Sequence, residues 1–291
     1  MGRHTNRLLL LAAAFLFSTG GAAIKATTLT SWQVAGFRSA IAGAAILVLV
    51  PSSRHGWTRR HLAVALAYAA TMMLFVTANK LTTSANAIFL QDTAPLYMLL
   101  LGPWLLDERL RATDLLLAAV VGLGMALFFV GTESAAATAP DPLRGNVIAA
   151  VSGIAWALTI AGLRWLGKGT GSENAAMPAV VMGNAIAFLV CLPMALPVEH
   201  AGAADAVVVG YLGIVQVGLA YACLTRAMRH VPAFEASAVL LAEPALNPLW
   251  AYLVHGERPG VWSIAGGTLI LAATLANAWW HSRRIVNPPR R

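Results

Sequence analysis

The sequence is short of charge: Lys, Arg, Asp and Glu make up 11% of its 291 residues, against roughly 25% in an ordinary soluble domain. That poverty excludes a soluble enzyme domain, a nucleic-acid-binding domain and a secreted disulfide scaffold. Cysteine is nearly missing. Cys191 and Cys223 both lie in apolar stretches, with no metal-ligand spacing and too few thiols for a disulfide framework, so they read as packing residues. Catalytic patterns are missing as well. There is no HExxH helix, no GxSxG elbow and no paired His and Cys ligand set. His55, His61 and His230 stand singly, which leaves an intramembrane enzyme without the cluster it would need. The stretch Gly167-Lys168-Gly169-Thr170-Gly171-Ser172 has the composition of a phosphate loop but not its GxxxxGK[ST] order, so it reads as a connector. The sequence gives no reason to expect ATP, a cofactor or a metal.

What the sequence has is long apolar runs. It is 58% hydrophobic with a mean hydropathy of +0.70. A transmembrane helix needs about 20 residues, and the runs do not alternate in polarity as outer-membrane strands do. Apolar stretches bounded by charge, proline or glycine fall near residues 8–24, 31–50, 62–79, 84–105 and 113–131, and again near 145–163, 177–196, 205–224, 233–254 and 261–280. Ten membrane helices leave only short loops and tails. The first run also has the outline of a cleaved signal peptide, with Arg3 and Arg7 ahead of it and small residues, Gly20 to Ala23, at its end. An uncleaved first helix agrees better with the charges. With the N-terminus inside, fifteen of the twenty Lys and Arg residues fall in cytoplasmic segments, and Lys25, Lys80, Arg144 and Arg258 fall outside. Positive residues mark the cytoplasmic side, so both termini are expected there. The net charge of +8 thus points to lipid rather than to nucleic acid.

The fourth and ninth runs superpose without a gap at an offset of 149 residues, which places Pro95 on Pro244, Ala87 on Ala236, Leu100 on Leu249, and Glu108-Arg109 on Glu257-Arg258. Five spans per half is an odd number, so the halves must cross in opposite senses. Inverted repeats with a site at their interface are the pattern of alternating-access carriers. The expected fold is an all-α membrane protein: ten transmembrane helices as two inverted five-helix repeats. The repeats cover residues 1–131 and 145–280, with a periplasmic linker over 132–144 and a basic cytoplasmic tail over 281–291.

The residues from Ser84-Ala85-Asn86-Ala87 through Leu90-Gln91-Asp92-Thr93-Ala94-Pro95 to Asp107-Glu108-Arg109-Leu110 have counterparts around Leu241-Ala242-Glu243-Pro244 and Gly256-Glu257. In these the chain resembles the ten-helix EamA-type members of the drug/metabolite transporter superfamily. Its size and lack of extra domains are similar to the amino-acid exporters of the YddG type. The resemblance implies a multi-pass inner-membrane carrier that exports amino acids or similar small metabolites. Drug or other metabolite export is the alternative, with a channel behind it. Asp92 departs from the pattern, because such proteins often place an uncharged residue there.

A charge at the bilayer centre costs about 2.5–3.5 kcal/mol even on permissive scales, so each embedded charge needs a partner or a wet cavity. Arg38 in the second run, Asp92 in the fourth and Glu243 in the ninth are such charges. An ion pair between Arg38 and Asp92 is one solution, whereas Glu243 has no basic residue at its depth and is expected to face a polar cavity or to be protonated. Gln216, Tyr221, Tyr97 and Asn247 add neutral polar groups near mid-membrane. Asn79 and Lys80 sit where the third run meets the outer side, either snorkelling to headgroups or guarding a cavity mouth. Trp156 lies mid-span, while Trp250 and the other tryptophans fall toward span ends, at belt positions. Trp156 is therefore expected either as a core residue or as a cavity wall. Pro95 and Pro244 free carbonyls within their helices and are candidate gating points. Small residues at Ala35, Ser39 and Gly43, and at Gly210, Gly213 and Gly218, predict close helix packing. The expected partners are a small-molecule substrate and the lipid bilayer.

Overall fold

The computed structural model describes residues 3–94, 96–97, 112–130, 134–167, 176–228 and 239–286. Within them the chain is helical throughout, apart from turns and one antiparallel bridge between Ala136 and Ala139. The helices are α1 (Arg3–Ser18), α2 (Gly20–Lys25), α3 (Ser31–Leu49), α4 (Arg59–Leu81), α5 (Ser84–Gln91), α6 (Ala112–Val130), α7 (Pro142–Gly167), α8 (Met177–Ala195), α9 (Ala203–Tyr211), α10 (Ala220–Met228), α11 (Ala242–His255) and α12 (Val261–Val286). A π-helical segment, Leu212–Leu219, joins α9 to α10. Six described segments are long and apolar enough to cross a membrane: Thr5–Lys25, Ser31–Leu49, Arg59–Leu81, Pro142–Leu163, Met177–Ala195 and Ala203–Leu224. Leu115–Val130 and Val261–Asn277 are shorter apolar helices.

Local chemistry sets where several helices begin and end. At the start of α3, the Thr30 hydroxyl accepts from Gln33 N at 3.3 Å, and the Gln33 amide oxygen accepts from Thr30 N at 3.0 Å, a reciprocal capping box. Thr83 caps α5 by accepting from Asn86 N at 3.2 Å. Gly256, at φ +65°, closes α11 in the left-handed conformation that only glycine adopts without cost.

Polarity is inverted relative to a water-soluble fold. Val48, Leu116 and Val261 are among the most exposed side chains, while Asn79, Asn146 and Asn247 are fully buried. Lipid can surround the former but cannot hydrogen-bond the latter. Helix α4 packs along α7 and α8, α3 lies between α8 and the π-helical segment, α6 crosses α12, and α1 rests on α10 and α11. Close approach depends on glycine at these crossings. A Cβ on Gly266 would lie 2.5 Å from the Gly124 carbonyl, and one on Gly213 would lie 2.6 Å from Ile41. Gly213 and Gly218 do pack on α3, as the small-residue pattern predicts, whereas Gly210 has open space beside it.

Among the described residues, three of the crossings are interrupted. The first breaks at Thr19, between α1 and α2. The fourth loses its helix at Asp92-Thr93, and the ninth turns at Leu241 before α11. Asp92 and Leu241 are partners at the 149-residue offset, each three residues before a proline. A proline has no N–H for the carbonyl four residues back, so Gln91 and Leu240 are the last residues before each break. Pro95 itself, Glu108-Arg109 and most of the Gly167–Ser172 connector lie outside the described residues. Pro244 is buried in the first turn of α11, directly after the break at Leu241.

Candidate functional site

The π-helical segment and residues at or next to the breaks line an interior cavity of about 110 Å³. Its walls come from α1 (Phe17), α3 (Arg38), α4 (Thr71, Met72, Phe75), the end of α5 (Gln91, Asp92), α7 (Trp156), the π-helical segment (Gln216, Val217), α10 (Tyr221, Leu224) and the approach to α11 (Leu240, Glu243). Gln91 and Leu240, the two residues that precede the repeat-related breaks, both face it. Helix discontinuities are tolerated inside a membrane where the freed backbone lines a cavity, which is their situation here.

Six of the residues singled out by polarity and position meet in this space: Arg38, Asp92, Trp156, Gln216, Tyr221 and Glu243. Arg38 is 2% exposed. Its Nη2 donates to the Met72 carbonyl at 3.2 Å and lies 3.5 Å from the Met72 sulfur, while Nε has no partner. The ion pair with Asp92 that the sequence allows is not formed. The backbone of α4 holds the guanidinium instead, leaving donors over. Asp92 and Glu243 line the same cavity. Gln216 donates to the Phe17 carbonyl at 3.3 Å, and its amide oxygen is unpartnered. Tyr221 stands edge-on to Phe17 at 5.3 Å and to Tyr68 at 6.1 Å. Trp156 is half-buried and lines the same cavity.

The other four candidates lie elsewhere. The Tyr97 hydroxyl points to the Met125 sulfur at 3.8 Å, beyond Gly153 of α7. Asn79 and Asn247 are fully buried against Gly21, where an added Cβ would sit 3.0 Å and 2.7 Å from their side-chain oxygens. Lys80 lies outside the cavity lining, bonded to the turn after α2. Its Nζ donates to the Thr27 carbonyl at 2.7 Å and hydroxyl at 3.0 Å, because Thr27 lies in the non-helical turn after α2 and its carbonyl has no helical donor. Trp250 also differs from its belt expectation: its indole N–H turns inward to Ser18 Oγ at 2.9 Å, and its ring stands edge-on to Phe15 at 5.4 Å.

Near Lys80 the end of the bundle is tied shut by groups the sequence does not single out. Lys25 pairs with Glu257 at 3.0 Å and donates to the Thr82 carbonyl at 2.7 Å and to that of Thr138. Glu257 accepts from Ser84 N at 2.8 Å. Asp205 takes both the N–H and the hydroxyl of Thr28 at 2.8 Å. The repeat alignment contained a signal for Glu257, the partner of Glu108, but nothing marked Lys25 as its mate. Phe17, which also lines the cavity, carried no signal beyond its place in an apolar run, and Gln91 was marked only by the motif it shares with Asp92 and Pro95.

A bundle of apolar helices around a charged interior cavity, with breaks at repeat-related positions, is the architecture of a membrane carrier. The chain belongs to the EamA-like transporter family, which matches it twice, over residues 6–130 and 143–279, once for each half. It is thus an all-α membrane protein of ten crossing helices in two inverted five-helix repeats, and a transporter rather than an enzyme. Among curated proteins it is similar to the pseudopaline exporter CntI of Pseudomonas aeruginosa strain UCBPP-PA14, at 26% identity over 92% of this chain and 94% of that protein. The same identity and coverage hold for CntI of strain PAO1. A solved crystal structure at 19% identity superposes with a TM-score of 0.66 over 97% of this chain and 100% of its own, a likeness of fold.

Proposed function

We propose that the protein exports amino acids, or small metabolites with a similar mix of charge and apolar surface, across a bacterial-type inner membrane by alternating access. The observation that carries this reading is the convergence of Arg38, Asp92, Glu243 and Trp156 on one cavity between the halves. Both signs of charge lie beside an aromatic wall, a lining that suits a zwitterion with an apolar side chain. The bundle is tied at the Lys25–Glu257 end, and the cavity lies among the helix breaks. In this reading that end is periplasmic and the termini are cytoplasmic, as the fifteen-to-four distribution of basic residues favours. The inverted halves exchange which side the cavity opens to. Pro244 and Pro95 mark where the ninth and fourth helices yield.

The name of the relatives, exporters of pseudopaline, favours a second reading: a metabolite exporter whose substrate lies outside the protein amino acids. Counterflow in proteoliposomes separates the two. Purified protein with internal unlabelled substrate should accumulate the same labelled compound, tested for amino acids, sugars, nucleosides and cationic drugs in turn. Saturable accumulation restricted to amino acids supports the first reading, and accumulation of other classes supports the second. Non-saturable leak without counterflow would mark a channel and sink both.

A further inference from the structure

We infer that the cavity reads the two ionic ends of its substrate in a fixed polarity, with Arg38 taking a carboxylate and the Asp92–Glu243 pair taking an ammonium. The inference rests on the carrier reading above and adds to it the chemical class of the substrate: compounds with an α-amino-acid head group, recognised through the ammonium first.

Four observations converge on this polarity. Arg38 is 2% exposed, faces the cavity and pairs with no carboxylate among the described residues. Of its donors, Nη2 is engaged by Met72 and Nε has no partner. A guanidinium offers five N–H groups in a planar fork that matches a carboxylate, and a buried donor left unpaired costs free energy that a ligand can recover.

The described lining carries one cation against two carboxylates, Asp92 and Glu243. Two carboxyl groups on one cavity, away from bulk water, offer a cation acceptor oxygens and a counter-charge when ionised.

The backbone repeats that preference at α5. Asp92 follows the last residue of this helix, whose carbonyl end carries the negative pole of the helix dipole and favours a cation. The Gln91 carbonyl is denied its usual helical donor because residue 95 is proline. Glu243, in the first turn of α11, brings its carboxyl group to the same cavity as Asp92, where its oxygens can accept from an ammonium.

The aromatic groups Phe17, Trp156 and Tyr221 also line the cavity. Their rings give an apolar side chain a place to lie, and their faces tolerate a neighbouring cation.

The consequence is an ordered preference. A compound with both groups binds best, the same compound without its carboxylate binds less well, and the same compound without its ammonium is rejected by the two acids. The probes are phenylalanine, phenethylamine and 3-phenylpropionate, with thermal stabilisation of the purified full-length protein titrated for each. Wild type should rank them in that order. Arg38→Gln should weaken phenylalanine by about tenfold to a hundredfold, down to the level of phenethylamine, and leave phenethylamine unchanged. Glu243→Gln and Asp92→Asn should weaken phenylalanine and phenethylamine together and narrow the penalty on 3-phenylpropionate. Arg38→Lys, which keeps the charge and loses the fork, should fall between wild type and Arg38→Gln.

Equal loss of phenylalanine and phenethylamine in Arg38→Gln would overturn the assignment. So would tighter binding of 3-phenylpropionate than of phenethylamine to wild type, a comparison that needs no variant to fold. A protein that shows counterflow but responds to none of the three probes overturns the inference and leaves the carrier reading standing. Ordered binding without counterflow of any compound does the reverse.

Discussion

Lys25 Nζ lies 3.0 Å from Glu257 Oε1, with each side chain 3% exposed. The pair joins the end of α2 to the turn between α11 and α12, and its further bonds draw in the end of α4, the start of α5 and the segment around Thr138. Five pieces of chain from both halves therefore meet at one buried contact. Next to it, Lys80 holds Thr27 and Asp205 holds Thr28, so the turn between α2 and α3 is pinned from two sides.

Removing one member of a buried pair leaves the other charge uncompensated, at a cost of about 3–5 kcal/mol, whereas replacing both by apolar groups is often close to neutral. Glu257→Leu alone should lower the detergent melting temperature markedly. The double variant Lys25→Met/Glu257→Leu should recover most of the loss. Size-exclusion chromatography after heating measures both, and a double variant no better than the single would show that the pair's role is not charge compensation.

Trp156→Ala should impair transport or shift preference among side chains by roughly 1–3 kcal/mol in apparent affinity, the scale of one pocket contact. Stability should hardly change, because Trp156 borders a cavity and is only half-buried. Competition assays in proteoliposomes read the first effect and melting in detergent the second. A variant that loses stability while its folded fraction transports the same compounds at normal affinity would make Trp156 a packing residue.

Pro244→Ala restores an N–H where the ninth helix is interrupted at Leu241. The variant should fold, because Ala is a better helix former than Pro, and it should exchange more slowly between its two open states as the break stiffens. Cysteine-labelling rates at both ends of the bundle measure that exchange. Unchanged labelling together with unchanged transport would reduce Pro244 to a feature of packing.

Reporters fused after Arg284 should read cytoplasmic and those inserted near Asp141 should read periplasmic, following the distribution of basic residues. A periplasmic C-terminus would overturn the proposed orientation and favour a cleaved first segment.

The membrane fold was legible because apolar runs of the required length leave few alternatives, and the repeat was legible from Pro95, Pro244 and the two Glu-Arg pairs. Arg38, Asp92 and Glu243 were legible as inward-facing groups because lipid cannot accommodate a charge at their depth. Neutral groups carry no such compulsion. Asn79 satisfies its amide nitrogen on the Phe75 carbonyl of its own helix at 3.0 Å, and Tyr97 finds a sulfur. Depth in a span fixes neither the side of the helix nor the partner. The Lys25–Glu257 contact joins residues 232 positions apart at helix ends, where no periodicity operates, so only the tertiary closure reveals it. The π-helical segment around Gln216 left no mark beyond Gly213 and Gly218, because one extra residue per turn does not alter an apolar composition.

Alternating access requires one interior cavity that binds substrate and opens to each face of the membrane in turn. Val217 lines that cavity and is buried, and the only native thiols, Cys191 and Cys223, are replaceable by Ala. In a Val217→Cys protein on that background, a membrane-impermeant thiol reagent should label the cavity when added to either face, and a transported compound should slow labelling from both. Labelling that never occurs from one face, or that proceeds at the same rate with saturating substrate present, would contradict the account.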